Sequence, residues 1–284
     1  MFKSQFKSQF KSQRRINLIY DVLTYGTISL IIVFALFPIL WTVITSFKVE
    51  EDIVTATLQY IPKAITFDNY IDIWNRSGFP RLIANSAIVS TITLSICMLI
   101  GTIAAYSFSR YRFRGRNQIL LLYLVIRMFP VVLMIVPLWI MMRRLGLLDT
   151  HFGLALAYTT FLLPICIWMM KGFFDAIPNA LEDAARMDGC TRLSALFRIV
   201  LPLARGGLVS TAVFIGIAAW NEYLFALMFT NSQQSQTWPV GLALMVGEFQ
   251  LPWGTLSAGG VISIIPVLIL FAIVQQSLIR GLTA

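Results

Sequence analysis

Long runs of apolar residues alternate with short polar segments along most of the 284-residue chain. A helix crosses the ~30 Å hydrocarbon core of a bilayer with ~20 mostly apolar residues, and six runs meet that length. The pattern therefore predicts six transmembrane helices, at 22–47, 83–109, 118–142, 152–173, 207–230 and 255–279. The predicted fold class is all-α, a polytopic integral membrane protein.

Composition agrees with a membrane location. Hydrophobic residues make up 58% of the chain and charged residues only 12%, with a mean hydropathy of +0.78. A soluble domain of this size has no interior large enough for so much apolar surface. The first run lacks a small-residue cleavage pattern before Lys48, so we interpret it as a permanent anchor and not as a signal peptide.

The net charge of +9 bears on topology. Lys and Arg are concentrated in the tail 1–21, around 110–116 and across 171–205, and they are sparser in the alternate loops. Positive flanks resist translocation, so both termini and the loop 174–206 are predicted to be cytoplasmic. The basic residues are dispersed among apolar segments, which argues against a nucleic-acid-binding patch.

This topology divides the chain into three parts: a basic tail (1–21), a first crossing with its outer loop (22–82), and a core of five crossings (83–284). The tail repeats Phe-Lys-Ser-Gln three times. In a helix, Phe2, Phe6 and Phe10 would lie near one face beside lysines, which suits an anionic lipid surface. A flexible basic tail that only enforces topology is the alternative.

The residues for catalysis or metal binding are missing. The sequence has one histidine, His151, interpreted as a loop residue, and three widely spaced cysteines. An intramembrane enzyme needs a nucleophile and base, two converging carboxylates or a metal cluster, and the sequence offers none of these. We therefore predict no catalytic, cofactor-binding or metal-binding residue. An ion-coupled secondary carrier stays open as an alternative, although neither inverted repeats nor midplane ion ligands are evident.

The cytoplasmic loop carries the most informative motif, Ile177-Pro-Asn-Ala-Leu-Glu-Asp-Ala-Ala-Arg-Met-Asp-Gly189. Pro178 suits the first turn of a helix, acidic residues follow near the positive end, and Gly189 can supply a left-handed stop. A second helix is predicted to start at Thr191 or Arg192, with apolar residues toward the protein at Leu193, Leu196, Phe197 and Val200. The sequence thus predicts a helix–glycine–helix elbow at the membrane surface.

Leu181, Ala184, Ala185 and Asp188 are spaced i, i+3, i+4 and i+7, so they are predicted to share one helix face. Small residues on that face allow the backbone of another protein to approach. The physical alternatives are a mechanical joint with a partner and an amphipathic connector that packs under the helix bundle.

Leu181-Glu-Asp-Ala-Ala-Arg-Met-Asp-Gly189, with Leu201-Pro202 further on, resembles the EAA loop of binding-protein-dependent ABC importer permeases. The likeness extends over residues 20–284 and is to the smaller, maltose-importer-like sugar permeases. Further matching segments are Pro38–Trp41, Thr45–Lys48, Asn69–Tyr70, Ala104–Tyr106 with Arg110, Leu145–Asp149, Trp220–Phe225 and Arg280–Thr283. Asp183 stands where the family usually has glutamate; its side chain is ~1.5 Å shorter, and Glu182 is a candidate to compensate.

The resemblance implies a type I importer permease fold with a cytoplasmic coupling helix. It also implies a second, similar permease subunit, two ATPase subunits that hold ATP and Mg, and a periplasmic solute-binding protein. No Gly-x-x-x-x-Gly-Lys-Ser/Thr loop is present in this sequence, which agrees with ATP being bound elsewhere. The residues expected to couple to the ATPase are Glu182, Asp183, Ala184, Ala185, Asp188 and Gly189.

Polar residues inside the predicted crossings are candidates for the translocation path. Trp220, Asn221, Glu222 and Tyr223 offer a stacking face and hydrogen-bonding groups for sugar hydroxyls. An interhelical polar clamp without ligand contact is the alternative for this cluster. Arg127 either snorkels or pairs between helices, or it attracts an anionic substrate.

We therefore expect a permease that passes oligosaccharides from a periplasmic binding protein across the bacterial inner membrane. An acidic oligosaccharide such as an alginate fragment is the substrate that Arg127 favours. A neutral sugar or a sugar phosphate is the alternative.

Overall fold

The computed structural model describes residues 2–55, 59–75, 78–247 and 251–282, and the side chains in these ranges except those of 2–19, 127 and 276–282. Throughout these ranges the regular structure is helical. The helices are α1 (Phe2–Ser46), α2 (Glu50–Ile53), α3 (Asp68–Asn75), α4 (Phe79–Arg110), α5 (Arg116–Met128), α6 (Val131–Arg144), α7 (His151–Asp175), α8 (Asn179–Met187), α9 (Arg192–Ala195), α10 (Leu201–Leu203), α11 (Arg205–Trp220), α12 (Leu224–Phe229), α13 (Trp238–Ala243) and α14 (Trp253–Leu282), with a π-helical turn (Leu196–Val200) between α9 and α10.

Four helices are long and apolar enough to cross a membrane by themselves: α1 within Tyr20–Ser46, α4, α7, and α14 within Trp253–Gln275. Two bent pairs, Arg116–Ile126 with Val131–Arg144 and Arg192–Leu203 with Arg205–Trp220, raise the number to as many as six. The all-helical membrane fold predicted from the hydropathy pattern is confirmed.

Two of the predicted crossings are not continuous helices. The third, 118–142, is divided between α5 and α6 at Phe129 and Pro130, because proline has no N–H to donate and disfavours a helical residue before it. The fifth, 207–230, is interrupted after Trp220 and resumes as a helix at Leu224. Apolar length predicted the positions of these segments but not the breaks within them.

The chain forms two compact units, and the first comprises Met1–Asp72 with Pro252–Val261. Here Asn69 donates to the carbonyl oxygens of Ser46 (3.0 Å) and Lys48 (2.8 Å), which fixes the end of α1 to the start of α3. The Glu50 carboxylate accepts hydrogen bonds from the backbone N–H groups of Trp253 (2.8 Å) and Gly254 (2.9 Å) at the start of α14. The unpaired N–H groups of that helix terminus are thereby satisfied.

The second unit comprises Ile73–Leu251 and Ile262–Ala284, and α4, α7 and α11 pack together at its centre. α4 and α7 run in the same direction, since Asn85 meets His151 near their amino-terminal ends and Ser109 meets Asp175 near their carboxy-terminal ends. Gly101 allows close packing between them, because a Cβ atom there would lie 2.7 Å from Cys166 Sγ. Two apolar core clusters lie one toward each end of these helices, and a third surrounds Phe79 and Trp238.

Candidate functional site

Helix α8 is a single short helix with well-defined ends. It begins at Asn179 directly after Pro178, and Gly189 follows its carboxy terminus with a φ of +90°. The Cys190 N–H donates to the Ala185 carbonyl (3.0 Å), which closes the last turn as a glycine-terminated helix requires. The left-handed stop predicted at Gly189 is confirmed.

The second arm of the elbow starts where it was predicted. The Thr191 hydroxyl accepts a hydrogen bond from the Ser194 N–H (3.2 Å) and caps α9. Of the four apolar residues predicted to face the protein, Leu196 and Val200 are buried, whereas Leu193 and Phe197 are 64% and 59% exposed. The arm therefore buries one i, i+4 stripe and leaves the neighbouring stripe open.

The orientation of α8 separates its functional candidates into two sets. Glu182 and Ala185 are 7% and 5% exposed and face the chain itself. Asp183, Ala184, Asp188 and Gly189 are exposed. Of the face predicted from spacing, Leu181, Ala184 and Asp188 are exposed, whereas Ala185 is buried on the same side as Glu182, three residues before it. A coupling role for Ala185 stays a prediction.

Two residues near the end of α4 hold the Glu182 carboxylate. Tyr106 donates its hydroxyl to Oε2 (2.8 Å), and Arg110 donates Nε to Oε1 as an ion pair with both side chains 10% exposed. Arg110 also donates Nη2 to the carbonyl of Ile177 (3.0 Å) in the connector before α8. Glu182 is therefore engaged within this chain, and its compensation for the short Asp183 at an external contact stays a prediction.

The same polar network continues to the end of α7. Arg110 donates to Ser109 Oγ (3.1 Å), Ser109 donates to Asp175 Oδ1 (2.6 Å), and Lys171 donates to Asp175 Oδ2 (2.5 Å). We call Tyr106, Ser109, Arg110, Lys171, Asp175 and Glu182 the α8 clasp. It joins α4, α7 and α8 through side chains.

A pocket of about 160 Å³ opens beside the clasp. Its lining residues are Tyr106, Arg110, Asn179, Glu182, Asp183, Arg186 and Arg192. Two ion pairs are among these residues: the buried Arg110–Glu182 pair and a looser, exposed Asp183–Arg186 pair at 3.5 Å on α8. The pocket is thus a polar recess lined by the clasp pair and by the exposed Asp183–Arg186 pair.

Trp220, predicted as a stacking face for sugars, is a packing residue in this conformation. It is 7% exposed, and its indole N–H donates to the Ser263 carbonyl of α14 (3.2 Å). A ring buried in this way presents no face to a passing solute. The aromatic character of the position is accounted for by helix packing.

Glu222 lies in the break between α11 and α12 and caps the latter helix. Its two carboxylate oxygens accept hydrogen bonds from the N–H groups of Phe225 (3.0 Å) and Ala226 (3.2 Å). The break explains how a carboxylate is satisfied in an apolar segment, because it frees backbone donors for it. Asn221 is exposed and Tyr223 half-buried in the same break, while the Arg127 side chain lies outside the described residues.

Sequence reasoning missed the clasp. Tyr106 and Arg110 were noted only as matching residues, yet their i, i+4 spacing at the basic end of a crossing is the signal that both reach one partner. His151, interpreted as a loop residue, is instead the first residue of α7, and its Nε2 lies 2.9 Å from Asn85 Oδ1. Across the described part of the chain, no three His, Cys, Asp or Glu side chains converge to hold a metal.

Comparison with known proteins places this geometry in a family. Residues 97–284 match the model of the binding-protein-dependent transport system inner membrane component. Sulfoquinovosyl glycerol transport system permease protein SmoH of Agrobacterium fabrum is 38% identical over 256 residues, covering 90% of each chain. Trehalose transport system permease protein SugB of Mycobacterium tuberculosis is 37% identical over 258 residues, covering 90% of this chain and 93% of the relative.

A solved structure shares the fold. A chain from the crystal structure of a bacterial ABC transporter involved in the import of the acidic polysaccharide alginate matches with a TM-score of 0.78 at 24% identity, covering 91% of this chain and 96% of that chain. The membrane helices, the EAA-type elbow and these relatives all point to the same family. The chain belongs to the family of inner membrane components of binding-protein-dependent transport systems, and it is a permease of an ABC importer and not an enzyme.

Proposed function

We propose that this chain is one of two permease subunits of an ATP-driven importer that passes an oligosaccharide from a periplasmic binding protein to the cytoplasm. The observation that carries the proposal is the two-sided α8, which buries Glu182 and Ala185 against its own bundle and exposes Asp183, Ala184 and Asp188. A helix fixed on one side and open on the other can receive a partner and transmit its movement.

The open side of α8 is the proposed docking surface for an ATPase subunit, which holds ATP and Mg. It combines charge at Asp183 and Asp188, a small residue at Ala184 and an exposed apolar side chain at Met187 (88%), and Leu193 (64%) on α9 adds a further exposed apolar side chain nearby in sequence. Exposed apolar residues beside a polar rim are typical of a protein interface. Two such ATPases, one under each permease subunit, complete the proposed assembly.

The proposed topology places both termini and α8 in the cytoplasm. It rests on the bias of Lys and Arg toward the tail 1–21 and the flanks around 110–116 and 171–205. The apolar span of α1, Tyr20–Ser46, has none of its most apolar window buried within the chain. Lipid and the second permease subunit are the proposed neighbours of such a span.

The helix break at Asn221, Glu222 and Tyr223 is the proposed contribution to the translocation path. Irregular backbone at membrane depth is tolerated where it is buried in protein or lines a water-filled cavity. Asn221 is exposed and carries both a donor and an acceptor for a hydroxyl group. Glu222 then has two roles, to cap α12 and to hold the break open toward the path.

Glu222→Gln tests this role, because the amide keeps one acceptor for the backbone N–H groups and loses the charge. We expect normal assembly and reduced substrate-stimulated ATP hydrolysis in proteoliposomes that contain both permeases, the ATPases and the binding protein. Ser95→Ala, which removes an exposed bond to the Thr91 carbonyl (2.8 Å), is a control with an expected normal rate. Normal coupled transport by a correctly assembled Glu222→Gln complex would contradict the role.

The proposed cargo is an acidic oligosaccharide such as an alginate fragment. The fold likeness is to an importer of an acidic polysaccharide, whereas SugB is named for trehalose. Arg127 is the residue in this chain proposed to favour an anion. Stimulation of ATP hydrolysis by uronate oligosaccharides, weakened in Arg127→Gln, supports this cargo; stimulation by neutral sugars alone rejects it.

The same reconstitution separates an ATP-driven importer from an ion-coupled carrier. Uptake that requires ATP and persists without an ion gradient supports the proposal. Uptake that follows a sodium or proton gradient without ATP favours the carrier.

A further inference from the structure

The α8 clasp gives α8 a second mechanical connection, besides the peptide chain. We propose that the Arg110–Glu182 pair is the joint through which α8 moves α4, so that motion passes mainly sideways into α4 and much less along the chain into α7. The inference rests on the proposed docking of an ATPase on α8. Arg110 and Glu182 are positioning residues in this account, and neither contacts the substrate.

The geometry favours a stiff joint. Both oxygens of Glu182 are occupied, one by Tyr106 and one by Arg110, so the carboxylate is held from two positions one turn apart on α4. Both members of the pair are about nine-tenths buried. Removing one partner of a buried pair leaves an uncompensated charge in a medium of low dielectric constant, which makes separation of the two helices unfavourable.

The peptide connection between α7 and α8 is short and is itself bonded to α4. Only Ala176, Ile177 and Pro178 lie between α7 and α8, and the Ile177 carbonyl in this connector accepts a hydrogen bond from Arg110 (3.0 Å). The connector is thus itself attached to α4. Any rigid movement of α8 that keeps these bonds displaces the end of α4.

The clasp also distributes the movement. Ser109 donates to Asp175 (2.6 Å), which links the ends of α4 and α7 beside the joint. Farther along the helices, Cys166 Sγ donates to the Cys97 carbonyl (3.1 Å). The pair α4–α7 is therefore expected to respond to α8 as one body.

Charge reversal tests the joint in the fully reconstituted importer, with the ratio of substrate transported to ATP hydrolysed as the readout. Arg110→Glu and Glu182→Arg each place like charges together, and each is expected to lower the ratio by about two- to thirtyfold. The double variant restores opposite charges and is expected to recover a large part of the loss. Arg110→Lys keeps the charge but lacks the forked guanidinium, so it is expected to fall between wild type and the reversals.

Docking is measured in the same complexes. Met187→Cys in a Cys190→Ser background places a reactive thiol on exposed α8 for crosslinking to the ATPase subunit. The inference expects this crosslink to persist in the charge-reversal variants while the transport ratio falls. The matched control is Glu50→Gln. The Glu50 carboxylate accepts a hydrogen bond from the backbone N–H group of Trp253, far along the chain, and this variant is expected to keep the wild-type ratio.

Inserting one glycine between Ala176 and Ile177 softens the peptide connection but leaves the clasp residues in place. We expect this insertion to change the ratio by less than about twofold. A large loss with docking intact would mean that movement travels along the chain, and it would overturn the joint. Unimpaired single reversals, or a double variant no better than the singles, would overturn it too.

Failure of the proposed function has a different signature. If the wild-type chain with Met187→Cys forms no crosslink to an ATPase in an active complex, α8 is not the docking helix, whatever the charge reversals do. If the crosslink forms and the reversals are silent, the docking proposal stands and the joint is rejected.

Discussion

The two ends of the α4–α7 pair differ in the bonds around them: besides the Asn85–His151 side-chain bond, the amino-terminal end is bound mostly to the backbone of the loop 231–236. At the amino-terminal end, Asn85 donates to the backbone carbonyls of Gln233 (3.2 Å) and Gln236 (2.8 Å), and Asp149 accepts from the N–H groups of Asn231 (2.8 Å) and Ser232 (3.0 Å). At the carboxy-terminal end, the clasp bonds are mostly between side chains. At one end the side chains bond mostly to the backbone of one loop, and at the other end they bond mostly to one another.

The difference suggests distinct mechanical roles. A backbone group is present at every position and is held by a planar peptide, so bonds to it fix a loop in one arrangement. A bond between two side chains is lost when either of the two residues is replaced. The first arrangement suits a fixed scaffold, and the second suits a joint.

Asn85→Leu is expected to have the largest effect on stability. Leucine has a similar volume but leaves two carbonyl oxygens and the His151 ring nitrogen without this partner, at a position that is 3% exposed. We expect a loss of about 3 kcal/mol in the free energy of unfolding, since each unsatisfied buried group costs about 1–3 kcal/mol. Denaturant unfolding of the purified chain in detergent measures it, with Ser95→Ala as a control of small effect.

His151→Ala separates the contribution of the ring bond of Asn85 from that of its two backbone bonds. Because the amide N–H groups of Asn85 both point to carbonyls, its Oδ1 accepts from the His151 ring, and His151→Ala is expected to lose less than Asn85→Leu. Equal losses would indicate that the ring bond, and not the backbone bonds, holds this end together.

Much of the fold was predictable from apolar length, because lipid imposes one physical rule on every crossing. The predicted positions at 83–109 and 152–173 correspond to α4 and α7. Hydropathy is insensitive to where backbone bonds are interrupted, so by itself it predicts neither the break at Phe129–Pro130 nor the break at Asn221–Tyr223, although a proline within a crossing indicates a kink or local opening at the first. Proline indicates the first break in the sequence itself. The link between Glu222 and the second break is seen only in the structure, where its carboxylate accepts hydrogen bonds from backbone N–H groups.

The site was predictable in part. The ends of α8 followed from Gly189 and Pro178, which act through local backbone preferences. Which side of α8 faces the chain did not follow, because it depends on Tyr106 and Arg110, more than seventy residues away in sequence. A spacing pattern defines the faces of a helix, but only tertiary partners determine which face is buried.

Asp149→Asn is expected to have an intermediate effect at the scaffold end. Asp149 has a φ of 59°, which asparagine tolerates, so the substitution changes the charge and one acceptor but not the backbone. Its carboxylate also accepts from the Ser235 hydroxyl. We expect a loss of about 1 kcal/mol in the free energy of unfolding near neutral pH.

The contribution of Asp149 to the free energy of unfolding is expected to depend on pH. Partial burial raises the pKa of its carboxyl group, but hydrogen bonds from Ser232, Ser235 and Asn231 outweigh burial and lower the pKa from 3.8 to about 2. A lowered pKa in the folded state stabilises the protein above 3.8, and this contribution disappears as pH falls toward about 2. The stability difference between wild type and Asp149→Asn should therefore shrink on acidification, and a constant difference would contradict the assigned bonds.

Asp183→Glu is expected to have the smallest effect, and it tests the open side of α8 against the clasped side. The Asp183 side chain is 69% exposed and only loosely paired with Arg186, so an added methylene extends the carboxylate ~1.5 Å outward without disturbing the bundle. We expect a gain of less than about threefold in substrate-stimulated ATP hydrolysis, because exposed ion pairs contribute little. Asp72→Glu, which lengthens another exposed carboxylate, is the matched control. If Asp183→Glu instead impaired coupling more than Arg110→Lys does, the outward carboxylate would be the more demanding contact, and the buried side of α8 would not be where movement is transmitted.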